Sequence, residues 1–236
     1  MGFLDDISAM DPKERMGIMG ERFKKNLDFF AKTDPNLHKK LLSKPMEYGL
    51  VSDEKGVNIV SLQTRTLVYG MDEEGHTMLK SCKNIAENPF ANSKWKKGYE
   101  LNPFYMITSP HKISAKAPIE IFRLAYKTGM NPDNIIFPAG YLPFAAFYGL
   151  GGGATLCEVC DRYDNIGNLL IYEPTADFFG ISAYFVDYRM LYSKAKKVLI
   201  AISELPGETQ IRDFFARERF ASLYPRLELT MYESDE

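Results

Sequence analysis

The first long hydrophobic pattern in the chain is that of an amphipathic helix. Apolar residues recur every three or four positions along one face, namely Met16, Met19, Phe23, Leu27 and Phe30. Asp11 followed by Pro12 is a typical helix start, because Asp caps free N–H groups and Pro fits the first turn. The pattern predicts a core-facing helix with a solvated charged face; a partner-binding helix is the alternative. Asp34 and Pro35 predict the start of a second, short helix through Leu42.

The pattern changes after this second helix to short runs that are typical of β-strands. Apolar runs at 48–51, 57–62 and 66–69 are separated by polar, glycine-containing turns and predict a small antiparallel meander. Residues 77–88 then show a helical pattern. The following stretch, 89–110, mixes aromatic residues with Asn, Lys and Pro and has no clear period, so we expect a loop there.

From residue 116 onward, predicted strands alternate with predicted helices. The strands are predicted at 134–137, 144–148, 168–172, 198–202 and 226–232. The helices are predicted at 117–128, directly after the glycines near 150, at 176–191 and at 209–222. This alternation predicts an α/β fold with a Rossmann-like, mainly parallel sheet, preceded by the helical segment and the meander. Residues 1–115 and 116–236 therefore form two regions, either separate or packed as one domain.

A glycine-rich turn after the strand at 144–148 is the strongest candidate for a ligand site. Gly149, Gly151 and Ala154 match the spacing of the G-x-G-x-x-G/A fingerprint of nucleotide-binding βαβ units. Such glycines allow a tight turn and let the backbone approach a phosphate at the helix N-terminus. Glu173 ends the next strand, where a carboxylate can bind a ribose hydroxyl, although its spacing is somewhat longer than usual. We predict ligand contacts at Gly149, Gly151, Gly152, Gly153 and Glu173; a purely structural turn is the alternative.

Other residues with reactive side chains form weaker patterns. Cys157 and Cys160 have C-x-x-C spacing but lie inside a predicted helix, so we interpret them as core residues rather than redox or zinc ligands. Trp95 either stacks on a base or sugar or simply anchors a loop. Asp187 either lines a pocket at the carboxyl edge of the sheet or is an exposed charge at a helix end. His111 lies in the loop, and we predict no metal site and assign no catalytic residue.

Composition and charge exclude several functional classes. The chain of 236 residues has a net charge of −2 and is 45% hydrophobic, so we expect a globular protein without electrostatic attraction to nucleic acid. It has no apolar run of about 18 residues and no secretory signal pattern, so we expect no membrane span. Three cysteines indicate a reducing compartment, and a cytoplasmic location is predicted.

Several short segments resemble the N-terminal region of bacterial motility accessory factors, the flagellin glycosyltransferases. They are residues 148–153 (Tyr-Gly-Leu-Gly-Gly-Gly), 169–179 (Leu-Leu-Ile-Tyr-Glu-Pro-Thr-Ala-Asp-Phe-Phe), 25–30 with 35–37, and 67–70 (Leu-Val-Tyr-Gly). The resemblance implies a protein that attaches pseudaminic or legionaminic acid to Ser or Thr of flagellin before export, for flagellum assembly and motility. It also implies a CMP-linked nonulosonic acid as the sugar donor, with flagellin and the protein's own downstream catalytic domain as partners.

The sequence departs from this family in one respect. The family's central domain carries a Gly-Pro-Ser motif, and that motif is absent here. The resemblance therefore implies an N-terminal, non-catalytic domain, with sugar transfer carried out by a domain that follows it. From the residues alone, two other functions stay open. One is an S-adenosylmethionine-dependent methyltransferase, since a strand, glycine turn, helix and acidic residue also suit that cofactor, and the other is an interaction module without a small ligand.

Overall fold

A five-stranded sheet and the helices around it form the framework of the computed structural model, which describes residues 2–87, 95–98, 127–128, 141–215 and 226–230. The helices in these residues are α1 (Phe3–Ser8), α2 (Pro12–Thr33), α3 (Pro35–Leu41), α4 (Met78–Glu87), α5 (Ala154–Arg162), α6 (Ala176–Ser182), α7 (Tyr188–Lys194) and α8 (Glu208–Phe215). The strands are β1 (Tyr48–Asp53), β2 (Gly56–Ser61), β3 (Met71–Asp72), β4 (Gly75–His76), β5 (Trp95–Gly98), β6 (Tyr141–Tyr148), β7 (Asn165–Glu173), β8 (Ala195–Ile202) and β9 (Arg226–Thr230). None of the helices in the described part of the chain has the length and apolar character needed to cross a membrane.

The central sheet has the strand order β5-β9-β6-β7-β8. β7 lies parallel between β6 and β8, β9 lies parallel to β6 on its other side, and β5 is antiparallel to β9. The chain thus proceeds outward from β6 to β8 and returns to the opposite side of β6 for β9. Such a reversal of strand order is the topological switch point of doubly wound folds. The predicted α/β fold with a Rossmann-like, mainly parallel sheet is confirmed.

The N-terminal helices form as the hydrophobic pattern predicts. The side chain of Asp11 accepts two backbone N–H bonds at the start of α2, and Asp34 does the same for α3. On the predicted apolar stripe, Met19 and Phe30 are fully buried, whereas Met16 is 37% exposed. The stripe therefore faces the core, with Met16 at its margin.

One hydrophobic core joins these helices to the central sheet. The ring of Phe30 in α2 lies 5.1 Å from that of Tyr188 in α7 and 5.9 Å from that of Phe179 in α6, measured between ring centroids. Residues from both predicted regions of the chain pack in this core. The predicted boundary near residue 115 itself lies outside the described residues and stays a prediction.

The predicted meander is present as a hairpin with a looser third segment. β1 and β2 pair antiparallel through a turn between Asp53 and Gly56. The third predicted strand contributes only an isolated bridge between Leu67 and Val60, and the two short strands β3 and β4 follow it. Arg15 of α2 holds the hairpin turn, because its buried guanidinium donates to the carbonyls of Asp53 and Gly56 at 3.0 Å each.

The single helix predicted at 176–191 is wrong, because the chain forms two helices there, α6 and α7. Asn26 of α2 donates to two carbonyls of the connecting segment at 2.8 and 2.7 Å and accepts a bond from the N–H of Tyr188 at 2.9 Å. Asp187 then caps α7 by accepting a backbone N–H bond at 2.9 Å. A side chain from a distant helix thus satisfies backbone groups that a continuous helix would bond internally.

The loop predicted at 89–110 is wrong at β5. Trp95–Gly98 pair antiparallel with β9, a strand that lies far later in the sequence. Because the hydrogen bonds of β5 come from this distant partner, the local pattern contains no sign of them. His111 lies outside the described residues. The same is true of other predicted segments, at 117–126, 134–137, 216–222 and 231–232.

Candidate functional site

The glycine turn joins the carboxyl end of β6 to the N-terminus of α5. Gly149, Gly151, Gly152 and Gly153 have positive φ angles of 99°, 53°, 87° and 84°. Residues with a Cβ rarely adopt this left-handed region, which explains the glycines at these positions. Gly153 is also the residue that caps α5. The predicted sequence of strand, glycine turn and helix is therefore confirmed.

Neighbouring segments pack directly against this turn. A Cβ placed on Gly152 would lie 2.4 Å from Cδ1 of Ile59, which belongs to β2. A Cβ placed on Gly153 would lie 2.4 Å from the Cβ of Ser182 in α6 and 2.8 Å from its Cα. All three distances are far shorter than a carbon–carbon contact. At Gly153 the obstacle includes the backbone of Ser182, so packing requires glycine there, whereas at Gly152 it is the end of the Ile59 side chain.

The meander also closes the turn through a hydrogen bond. The hydroxyl of Tyr69 donates to the carbonyl of Gly151 at 2.7 Å. Thr155, in the first turn of α5, is 1% exposed, and its hydroxyl has no hydrogen-bond partner among the described residues. Buried polar atoms of this kind are normally satisfied by an ordered water or a ligand. Thr155 is therefore a polar group at this turn that a bound water would satisfy.

Glu173, the predicted ribose ligand, binds the turn itself. The residue is fully buried, and its carboxylate accepts hydrogen bonds from the N–H of Leu150 at 2.6 Å and of Thr175 at 2.8 Å. Its main-chain carbonyl accepts a bond from the N–H of Ser203 at 2.8 Å. Two N–H donors of this kind stabilise a buried negative charge. The structure thus places Glu173 beside the glycine turn; a ligand contact at Glu173 or at the glycines stays a prediction.

The other candidate residues occupy structural positions. Cys157 and Cys160 are buried in α5, and burial raises the pKa of both thiols, that of Cys160 to about 12. A thiol with such a pKa stays protonated and unreactive at neutral pH. Asp187 is the N-cap of α7, and Trp95 lies on β5. Among the described residues, no three His, Cys, Asp or Glu side chains are grouped so as to hold a metal ion.

No sequence motif indicates a cleft that the structure forms between α1 and α5. The cleft is open to solvent, has a volume of about 520 Å³ and is bordered by charged residues that include Arg22, Glu158 and Asp161. Its walls come from helices far apart in the sequence, so a local pattern cannot predict it. The spacing of Glu158 and Arg162 on one helix is a signal in the sequence, but it indicates only a helical ion pair.

The sequence of this α/β unit matches a known domain family. The sequence model described as Glycosyltransferase Maf N-terminal domain matches residues 22–208, which is more than half of the chain. The chain belongs to the Maf glycosyltransferase N-terminal domain family. The hairpin, the glycine turn and Glu173 all lie within the matched residues.

The fold of this Maf domain also occurs in a solved structure. The MAf glycosyltransferase from Magnetospirillum magneticum AMB-1 matches 92% of this chain with a TM-score of 0.55 and 19% sequence identity. The match covers 33% of that protein, so the chain spans about a third of its length. At this level of identity the likeness shows the α/β fold. No curated protein sequence matches the chain.

Proposed function

We propose that this Maf domain is a non-catalytic module of a glycosyltransferase that modifies flagellin. The enzyme transfers pseudaminic or legionaminic acid from a CMP-linked donor to Ser or Thr of flagellin in the cytoplasm, for flagellum assembly and motility. Membership of the Maf family supports a glycosyltransferase. The resemblance of residues 148–153 and 169–179 to motility accessory factors supports flagellin as the acceptor.

The packing around the glycine turn supports the non-catalytic role. A nucleotide phosphate must approach the backbone of such a turn closely. At Gly152 and Gly153, atoms of Ile59 and Ser182 leave less room than a single methyl group needs. The backbone N–H of Leu150 in the turn already donates a hydrogen bond to the carboxylate of Glu173. We therefore infer that the turn connects β6, α5 and the meander, and that the sugar donor binds in another domain of a longer polypeptide.

Calorimetry with CMP and with S-adenosylhomocysteine tests this role. We expect neither compound to bind the 236-residue chain, and a full-length Maf glycosyltransferase is the positive control for CMP. Binding of S-adenosylhomocysteine that is abolished by Gly151→Val would favour a methyltransferase and overturn the proposal. Binding of CMP that is abolished by the same substitution would put the donor site in this domain, which also contradicts a non-catalytic role.

A second experiment tests the module's contribution to flagellin recognition. We expect the immobilised domain to retain purified flagellin. Deleting the domain from a full-length Maf enzyme should then lower flagellin glycosylation in cells while CMP binding by the remaining protein persists. Unchanged glycosylation after the deletion would show that the module is dispensable for acceptor recognition, contrary to the proposal.

A further inference from the structure

Two neighbouring loops expose apolar side chains on one side of the molecule. One loop follows α3 and the other follows β2, and the N–H of Leu62 in the second donates to the carbonyl of Glu47 in the first at 2.8 Å. Leu42 is 60% exposed, Met46 79% and Leu62 46%. Together with the last turn of α3, the loops form a surface of residues 39–47 and 62–66, the loop surface. Grouped apolar side chains of this kind mark a contact surface for another molecule.

The backbone of the first loop is held in a defined position. Oδ2 of Asp177 in α6 accepts hydrogen bonds from the N–H groups of Met46, Glu47 and Tyr48 at 2.9, 2.6 and 2.9 Å. The ring of Tyr48 stacks on that of Phe178, with 4.5 Å between the ring centroids. Because the backbone is anchored at this point, the loop presents the Met46 side chain to solvent at a fixed place on the surface.

The loop surface is positively charged, although the whole chain is not. Its charged residues are Lys39, Lys40, Lys44, Arg65 and Glu47, a net charge of +3, whereas the entire chain has a net charge of −2. Asp177 beside it lowers this local charge but does not reverse its sign. Among the described residues, none of the four basic side chains lies within ion-pair distance of a carboxylate. The loop surface therefore complements an anionic partner.

The positions of Lys44 and Arg65 are not explained by local structure. Both lie outside the helices, so attraction to the C-terminal dipole of α3 does not account for them. Arg65 also has a φ of 59°, a left-handed conformation that glycine would adopt without strain. A basic side chain at such a position is consistent with a role in contact with another molecule.

The composition of the loop surface favours a lipid surface over a protein partner. Protein–protein interfaces are depleted of lysine and enriched in aromatic residues. The loop surface instead has three lysines and no aromatic side chain. Long basic side chains next to apolar ones suit the boundary between lipid headgroups and acyl chains, because their charged ends stay in water. Anionic lipids of the cytoplasmic leaflet supply the attracting charge.

We propose that the loop surface docks on an anionic membrane surface. The side chains of Leu42, Met46 and Leu62 enter the headgroup region, and the basic side chains contact lipid phosphates. This attachment is peripheral and needs no membrane-spanning helix. The inference does not rest on the proposed role in flagellin glycosylation.

Cosedimentation of the 236-residue chain with vesicles tests the electrostatic part. We expect binding to vesicles of phosphatidylglycerol and phosphatidylcholine, no binding to phosphatidylcholine alone, and weaker binding as salt rises. Lys44→Gln and Arg65→Gln should each weaken binding about fivefold, the contribution of one basic residue at an anionic surface. Lys44→Arg keeps the charge and should bind like the parent.

Lys13→Gln is the matched control for these charge changes. Lys13 is exposed at the start of α2, two residues before Arg15, which binds the turn at the opposite end of the β1–β2 hairpin. Its substitution should leave vesicle binding unchanged. Each of these variants should also unfold at the temperature of the parent, because the side chains are exposed.

A fluorescent label at position 46 tests insertion of the apolar side chains. The native cysteines Cys82, Cys157 and Cys160 are all buried, so a thiol-reactive, polarity-sensitive dye labels Met46→Cys selectively. Anionic vesicles should shift its emission to shorter wavelength, and a label at Lys13→Cys should not respond. Met46→Gln should weaken vesicle binding about tenfold through the loss of apolar contact.

Four results would contradict the proposal. The first is the absence of binding to anionic vesicles at low salt. The second is equal weakening by Lys13→Gln and Lys44→Gln, which would place the attraction elsewhere on the chain. The third is vesicle binding without an emission shift at position 46. The fourth is a dimer that Met46→Gln dissociates, without vesicle binding, which would assign the loop surface to a second copy of the chain.

Discussion

The carboxylate of Glu173 and the backbone of Leu150 are joined by a hydrogen bond of 2.6 Å. Leu150 lies in the glycine turn after β6, and Glu173 is the last residue of β7. The second carboxylate oxygen accepts the N–H of Thr175, so both oxygens have a backbone donor. This arrangement ties the turn to the neighbouring strand and gives the buried acid a structural role.

We predict that Glu173→Gln lowers the free energy of unfolding by about 2 kcal/mol. A glutamine side chain has one oxygen acceptor, so its amide group must face one of the two backbone N–H donors and leave it unsatisfied. Urea unfolding followed by circular dichroism measures the change. Glu204→Gln is the matched control at an exposed position and should stay within about 0.5 kcal/mol of the parent. Equal stability of both variants would mean that other contacts hold the turn.

We predict opposite effects for two glycine-to-alanine substitutions. Gly153→Ala should lower the free energy of unfolding by about 3 kcal/mol, because φ is 84° and the new Cβ meets the backbone of Ser182 at 2.8 Å. Gly20→Ala lies inside α2, where no atom beyond the backbone of the helix itself is within 4 Å of the new Cβ. It should raise the free energy of unfolding by about 0.5–1 kcal/mol through helix propensity. A neutral Gly153→Ala would show that the turn can move away from α6.

We predict that Asn26→Ala lowers the free energy of unfolding by about 3 kcal/mol. The substitution leaves two buried carbonyls and the N–H of Tyr188 without their partner between α6 and α7. Amide hydrogen exchange should show the loss of protection concentrated at Tyr188 and the segment before it. Lys25→Ala, at an exposed position of the same helix, is the control and should have little effect. Uniform loss of protection over the whole chain would contradict a local role for Asn26.

The parts of the fold that the sequence predicts correctly are those with local causes. Asp11 and Pro12 define the start of α2 without help from the rest of the chain. Gly149, Gly151, Gly152 and Gly153 have a left-handed backbone, and most residues of the strands on either side are apolar. Such signals depend on backbone preference and on the pattern of apolar residues, and both can be read from a short stretch of sequence.

The parts that the sequence does not predict depend on distant partners. Asn26 divides α6 from α7, although it lies far earlier in the chain. Ile59 covers the glycine turn from β2, so a fingerprint that favours a ligand site is packed by the protein itself. Glu158 and residues of α1 line a common cleft that no sequence motif predicts. Each case is a tertiary contact, and a single sequence carries no periodic signal for it.

The last prediction concerns the pH dependence of stability through the buried thiol of Cys160. Burial raises its pKa to about 12 in the folded protein, whereas an unfolded chain has a thiol pKa of about 8.5. Between these values the unfolded chain has lost the proton that the folded chain keeps. The stabilisation from the protonated thiol is therefore complete below about pH 8.5 and is lost as the pH rises, by about 1.4 kcal/mol per unit.

Cys160→Ala removes this titration. From pH 8.5 to 10.5 the free energy of unfolding of the parent should therefore fall relative to that of the variant. Urea unfolding at half-unit intervals measures it, with a thiol reductant present throughout. Val159→Ala is the control, because it removes buried volume from the same helix without removing a titrating group. Its difference from the parent should be constant with pH. A constant difference for Cys160→Ala as well would mean that the folded protein releases the thiol proton near the ordinary pKa, and hence that water reaches Cys160.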